Sequence, residues 1–336
     1  MLIVRNNLKS FFATVLFKSG VLNLLHHLFY RERALILMYH RVLPSLIADH
    51  NFVQPGMYVT VESFRRHAVL LKKSFEVIPL IDLITRLHMG ENVGGCCAIT
   101  FDDGWLDNFT YAFGVLQEYQ LPATVFLASD LIGTEKCFWP EQLALYLRES
   151  IQNNVARWDT SILKFLREVP ASEDEKTYLD NAIMMLKNWS PEIRDELLDC
   201  LRATTNLSAP TRLLMNWDEV LEMHQSGLVD FGSHTANHVI LDQVSLDEAR
   251  DEIAFSRREI EAHLGIHIEL FAFPNGNFNS SLLEVVADNG FTGAVTTKSG
   301  WVARDTNVLT LPRVGLHEDV CRDTARFYAR LVLQRF

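Results

Sequence analysis

Two stretches of the chain hold side chains that could do chemistry together. Ala98-Ile99-Thr100-Phe101-Asp102-Asp103-Gly104 is an apolar run that ends in two adjacent carboxylates and a glycine. Neighbouring carboxylates repel, so a bound cation is the simplest compensation, leaving the other carboxylate free as a base. The plain alternative is a cap and a solvated turn residue ahead of a helix that starts near Asn108. The second stretch, Val229 to His238, again ends an apolar run in polar residues, with His234 and His238 four apart. On one helical turn that spacing aims both imidazoles the same way, with Cβ atoms about 5–6 Å apart, which suits one metal ion. Asp, His and His together form a three-ligand set with positions left for water and substrate. Two further stretches matter less on their own. Phe271-Ala272-Phe273-Pro274-Asn275-Gly276 runs into a turn that could present backbone N–H groups to a site. Leu311 to Glu318 places Arg313 in a strand pattern and His317 at its end.

These residues need elements that hold them at one edge. The runs Ala34–Tyr39, Cys96–Phe101, Ala123–Leu127, Val229–Ser233, Leu270–Phe273, Gly293–Thr297 and Leu311–Leu316 read as strands. Most are apolar throughout, so both faces should be covered, as in a parallel sheet or barrel. Helical patterns lie between them, at Val61–Phe75, Asn108–Tyr119, Trp217–Gln225, Leu246–Leu264 and Ser281–Asp288. Ser245 with Glu248 has capping-box spacing, and Asn216 with Glu219 a looser version. The order strand, helix, strand is that of an α/β domain whose site lies at the carboxyl ends of the strands. The stretch 138–211 breaks the rhythm, carrying no strand pattern and several amphipathic helical ones. It reads as a helical insertion in one domain spanning 34–318, followed by a closing helix over 319–336.

Composition narrows the class. The chain has 336 residues, 48% hydrophobic and 22% charged, enough to bury a sizeable core. With 31 Lys plus Arg against 42 Asp plus Glu the formal net charge is −11, which argues against nucleic acid as a partner. Five cysteines without a C-x-x-C spacing favour neither a disulfide framework nor a cysteine zinc site, and fit a reducing compartment. Residues 1–33 form an amphipathic helical segment. Its apolar core, Phe11 to Phe17, is short for a signal peptide, is closed by Lys18 and lacks a prompt small-x-small site. Residues 8–30 read either as a helix packed on the domain or as an interfacial helix in peripheral contact with a membrane. The expected location is cytoplasmic, with that contact at the inner membrane face.

The motifs resemble those of the polysaccharide deacetylases of the NodB-homology type, carbohydrate esterase family four. The family's T-F-D-D-G is matched in full by Thr100 to Gly104, and its H-[S/T]-x-x-H by His234-Thr235-Ala236-Asn237-His238. The resemblance covers roughly Ala34 to His317 apart from the helical segment. It implies a distorted (β/α) barrel, a divalent metal cation (usually zinc, Zn2+) and removal of N-acetyl groups from amino-sugar polymers. Carried over, Asp102 is the base, and Asp103, His234 and His238 are the metal ligands. The Tyr39-His40-Arg41-Val42 and Trp217-Asp218-Glu219 segments are similar to a subgroup tied to exopolysaccharide biosynthesis. Two positions depart from the pattern. Ala272 stands where the third motif has arginine, with Arg313 as the candidate replacement. Gly315 stands where the fifth motif has leucine, so His317 and His40 compete for the role of general acid. Pro274, Asn275 and Gly276 are the candidates for holding the oxyanion. The expected substrate is an acetylated amino-sugar polymer, oligomer or lipid-linked precursor. The competing reading is a catalytically inactive glycan-binding or scaffold protein of the same fold.

Overall fold

The computed structural model describes residues 2–45, 53–152, 160–204 and 212–334. Of the expected insertion 138–211, residues 153–159 and 205–211 lie outside these, as do 335–336 of the expected closing helix. The strands are β1 (Leu35–Tyr39), β2 (Arg41–Leu43), β3 (Tyr58–Thr60), β4 (Glu76–Val77) and β5 (Cys96–Phe101) in the first part of the chain. They continue with β6 (Ala123–Leu127), β7 (Val229–Ser233), β8 (Leu270–Ala272), β9 (Gly293–Val295) and β10 (Val314–Gly315). One curled parallel sheet has the order β10-β1-β5-β6-β7-β8-β9, with β4 beside the start of β5, while β2 and β3 pair separately. Leu311 bridges in parallel to Val295 of β9, and three residues later Val314 pairs with Leu37 of β1. This stretch links the two ends of the sheet, which gives the distorted (β/α) barrel.

The apolar runs become strands because both faces are covered. All six residues of β5 and all five of β6 are buried. Ile36, Ala98, Phe126, Leu270 and Val295 pack with the helix Leu80–His88 in one cluster. The longest runs fall where the sequence puts them, and β2, β3 and β4 are additions. Strands of two or three residues are too short to show a period. Helix ends follow their caps. Asn216 and Glu219 form the full reciprocal capping box, whereas at Ser245 the hydroxyl accepts from the Glu248 N–H at 3.2 Å. The stretch expected as one helix over 108–119 begins as a π-helical turn, Asn108–Phe113, and turns α-helical at Gly114. At the carboxyl end, Glu318–Cys321 and Thr324–Leu333 are separate helices, because Asp323 caps the second through the Arg326 N–H.

By its internal contacts the chain divides into two compact units, one of Met1–Ser45, Gly56–Thr134 and Leu214–Phe336, the other of Leu46–Pro55 and Glu135–Leu213. The second unit contains the helices Trp139–Gln152, Thr160–Glu168, Glu175–Leu186 and Pro191–Thr204. Leu143, Leu147, Phe165, Ile183 and Leu201 share its own core. In the first unit the amino-terminal helices Leu2–Lys18 and Val21–Phe29 meet at an 80° bend after Lys18. They pack on Thr324–Leu333, where the Phe17 and Tyr328 rings are 5.8 Å apart and Tyr30 Oη donates to Leu331 O at 2.5 Å. No single helix among the described residues is long and apolar enough to cross a membrane. All five cysteines are free thiols.

Candidate active site

Parallel strands bring their carboxyl ends to one edge, and there the structure collects the residues picked out by type and spacing. Asp102 and Asp103 leave β5, His234 leaves β7, Pro274 leaves β8 and His40 leaves β1. The turn after β5 needs Gly104. Its φ is +80°, and a Cβ there would lie 2.9 Å from side-chain atoms of both Ile132 and Leu127.

Asp102 is 2% exposed and held by Arg313, itself wholly buried. The guanidinium donates from Nη1 to Oδ1 and from Nη2 to Oδ2, both at 2.7 Å. It is fixed in turn by Thr296 O, 2.9 Å from Nε, and by Thr100 Oγ1, 3.1 Å from Nη1. Burial alone would raise the Asp102 carboxyl. The Arg313 charge, followed by His234, overcomes this and holds it well below the usual carboxylate range. Arg313 therefore makes the bidentate contact that Ala272 cannot make. Ala272 contributes its carbonyl instead, to His234.

Asp103 is built differently. Its Oδ2 accepts from Trp105 Nε1 at 2.8 Å, while Oδ1 lies 3.5 Å from both His234 Nε2 and His238 Nε2. One donor atom from each of Asp103, His234 and His238 lies within 4.8 Å of the others. His234 Nδ1 is 2.8 Å from Ala272 O, a contact in which Nδ1 carries the proton and Nε2 keeps its lone pair toward Asp103. Burial pushes the His234 pKa down to about 4, so the ring is neutral near pH 7. The histidines do not share a helical turn. They flank an irregular loop in which Thr235 and His238 have φ of 64° and 58°, and that loop brings the imidazoles to 4.8 Å between centroids.

Residues that no local motif marks as supports hold this half in place. Glu252, from the helix Leu246–Leu264, accepts from the N–H groups of Ala236 and Asn237 at 3.0 and 2.8 Å, pinning the histidine loop. Trp105 lies under the Arg41 guanidinium, 4.4 Å from the ring centroid. Arg41 Nε donates to Asp107 Oδ2 at 2.8 Å, and Asp107 Oδ1 accepts from the Val42 N–H. Arg41 and Asp107 lie 66 residues apart in sequence, and only the pairing of a cation with a carboxylate hints at their contact.

The two candidate acids separate. His40 Nε2 is 4.0 Å from Asp102 Oδ2, and Asn108 Nδ2 donates to the His40 carbonyl at 2.8 Å. His317 begins the helix Glu318–Cys321 and points to Asp319, with 3.3 Å between Nδ1 and Oδ2. In the turn after β8, Pro274 has no N–H and Gly276 donates its own to Phe273 O at 2.8 Å, which leaves Asn275. Gly276 packs so closely on Thr297 that a Cβ would sit 2.7 Å from its backbone nitrogen.

The chain is similar to known proteins. A family model described as polysaccharide deacetylase matches residues 90–294. YxkH of Bacillus subtilis (strain 168) is 21% identical over 219 residues, 65% of this chain and 50% of that protein. The chain thus spans about half the length of that curated relative. Among solved structures, the deacetylase PplD of Streptococcus pyogenes, determined in complex with acetate, superposes with a TM-score of 0.57 at 18% identity, covering 86% of this chain and 94% of that one. IcaB from Ammonifex degensii gives 0.57 at 17% identity, covering 88% and 97%. With the family model matching more than half of its length, this chain belongs to the polysaccharide deacetylase family.

Proposed function

We propose that the chain is a metal-dependent deacetylase that hydrolyses the N-acetyl groups of an amino-sugar glycan or glycan precursor in cell-surface polysaccharide biosynthesis. The observation that carries the reading is an Arg-clamped carboxylate directly beside an Asp–His–His trio. The trio suits a small divalent cation such as zinc: two imidazole nitrogens and one carboxylate oxygen lie within 4.8 Å of one another, and the His234 ring is neutral. A cation held there would acidify a water molecule and polarise the amide carbonyl of the substrate.

The chain's own residues do the rest. Asp102, kept ionised by Arg313, takes the proton of the attacking water. A carboxylate with so low a proton affinity serves as a base only toward an acidified water, which ties its work to an occupied trio. His40 gives a proton to the leaving sugar amine, and its 4.0 Å separation from Asp102 keeps acid and base on one substrate group. The Asn275 N–H faces the negative oxygen that develops on the amide carbon. An inactive scaffold has no use for a buried carboxylate held ionised, and the double hydrogen bond from Arg313 supplies at Asp102 the contact that Ala272 cannot make.

The test is acetate release from N-acetylglucosamine oligomers and from lipid-linked N-acetylated precursors, before and after chelation and with zinc restored. Release that vanishes on chelation and returns with zinc is expected. An oligomer that binds without releasing acetate under every metal condition overturns the enzymatic reading.

A further inference from the structure

We infer that the outer face of the two amino-terminal helices is a docking surface for an anionic lipid bilayer, with the bent pair lying in the plane of the headgroups. The inference does not depend on the deacetylase reading. The inner face of the pair is committed to the protein. Ala13, Leu22, His26 and Tyr30 are buried, and the Phe17 and His26 rings sit 5.8 and 5.6 Å from that of Tyr328. The outer face is apolar and open to water. Phe11 is 63% exposed, Phe12 50%, Leu24 62% and Leu28 64%. Val15 and Val21 are exposed beside them. Phe11 and Val15 are four apart, and Val21, Leu24 and Leu28 follow at three and four, so each helix carries one stripe. Single exposed apolar residues are ordinary; two stripes on adjoining helices mark a contact surface.

Charge selects the occupant. Residues 1–31 include Arg5, Lys9, Lys18 and Arg31 and no Asp or Glu, while the other 27 of the 31 cations share the rest of the chain with all 42 carboxylates. Lys18 is exposed at the bend between the two helices, and Arg31 just beyond the end of the second. A symmetric pairing of this face with a second copy would set cation against cation. A bilayer with anionic headgroups takes both features, the acyl boundary receiving the Phe and Leu side chains and the headgroups the Lys and Arg. The 80° bend and the inner contacts with Tyr328 and Leu331 favour lying on the surface over crossing it.

The experiment is co-sedimentation of the full chain with vesicles of phosphatidylcholine alone or of phosphatidylcholine with about one third phosphatidylglycerol. Partition into the anionic vesicles should be at least about ten-fold stronger, fall with added salt and reverse in alkaline carbonate. Leu24→Glu with Leu28→Glu should abolish pelleting while the thermal midpoint stays at the wild-type value. If that double variant fails to fold, Lys18→Glu decides, with an expected loss of several-fold in binding. Equal partition into both vesicles, no pelleting at all, or resistance to carbonate extraction overturns the proposal. So does a double variant that pellets like the wild type, or a dimer in sedimentation velocity that the double variant dissolves.

Discussion

Around Asp102 the site is built from charge, while around Asp103 it is built from neutral donors and backbone. The two carboxylates are chain neighbours at one strand end, both buried, yet one is met by a bidentate guanidinium and the other by an indole N–H. A carboxylate that already owns a buried cation has no electrostatic need for a second. Asp103 has no such partner on its Oδ1, which faces two imidazole nitrogens instead. The difference supports the proposed roles, Asp102 as base and Asp103 as ligand, because compensation is built in at one and would be left to an ion at the other.

The strongest way to break this contrast is to remove each half in turn. His234→Ala and Asp103→Ala should lose bound metal and acetate release together, to background. Asp102→Asn should keep the metal while turnover falls by about 10²–10⁴-fold, the scale of a positioned base. Elemental analysis beside acetate release reads both, and an Asp102→Asn protein that has shed its metal reverses the assignment. Next come the histidines. His40→Ala should cost about 10²-fold or more in turnover, as for a lost general acid, and His317→Ala only a few-fold. Equal losses in the two would overturn the assignment of His40 as the acid.

A subtler change sharpens the Asp103 half. Trp105→Phe keeps a ring under Arg41 but removes the N–H that holds Oδ2, so metal affinity should weaken by about 10–100-fold. Turnover at saturating metal should stay within a few-fold, and metal titration separates the two quantities. The smallest effect on activity guards the pH comparison. His67 is buried against Phe327 at 3.9 Å between ring centroids, and burial lowers its pKa from 6.5 to about 3. Between those values the unfolded chain binds the extra proton, so this contribution to stability is full above pH 6.5 and declines as the pH falls toward 3. The loss should be on the order of 5 kcal/mol. Denaturant unfolding of His67→Phe should show a flatter acid limb with turnover at pH 7 little changed.

The sheet was legible because strands buried on both faces write continuous apolar runs, as Cys96–Phe101 and Ala123–Leu127 do. The trio was legible because Asp103, His234 and His238 each follow such a run. Arg313 was visible only as a suspicion. Its contact with Asp102 spans 211 residues, and no local pattern encodes a pair formed by the closing of the sheet. The loop between the histidines was misjudged for a related reason. Four-residue spacing suggests a helix, but Glu252 from a later helix captures the Ala236 and Asn237 N–H groups and imposes another path.

The backbone around the site also has a practical consequence for anyone who redesigns this protein. Among the described residues six non-glycine positions have positive φ: Asp103, Gln120, Thr235, His238, Asn275 and Gln334. Gln120 and Gln334 merely end helices. The other four all belong to the loops that carry the site, so a tracer blind to every side chain could find it by conformational rarity alone. Thr235 is the extreme case, with a β-branched side chain in the left-handed region and a buried hydroxyl that has no hydrogen-bond partner among the described residues. Selection for heat tolerance should therefore arrive early at Thr235→Gly or Thr235→Asn, each relieving roughly 1 kcal/mol or more. Such winners would loosen the loop that holds His234 and His238, and a screen that reads only survival at high temperature would collect robust, idle proteins.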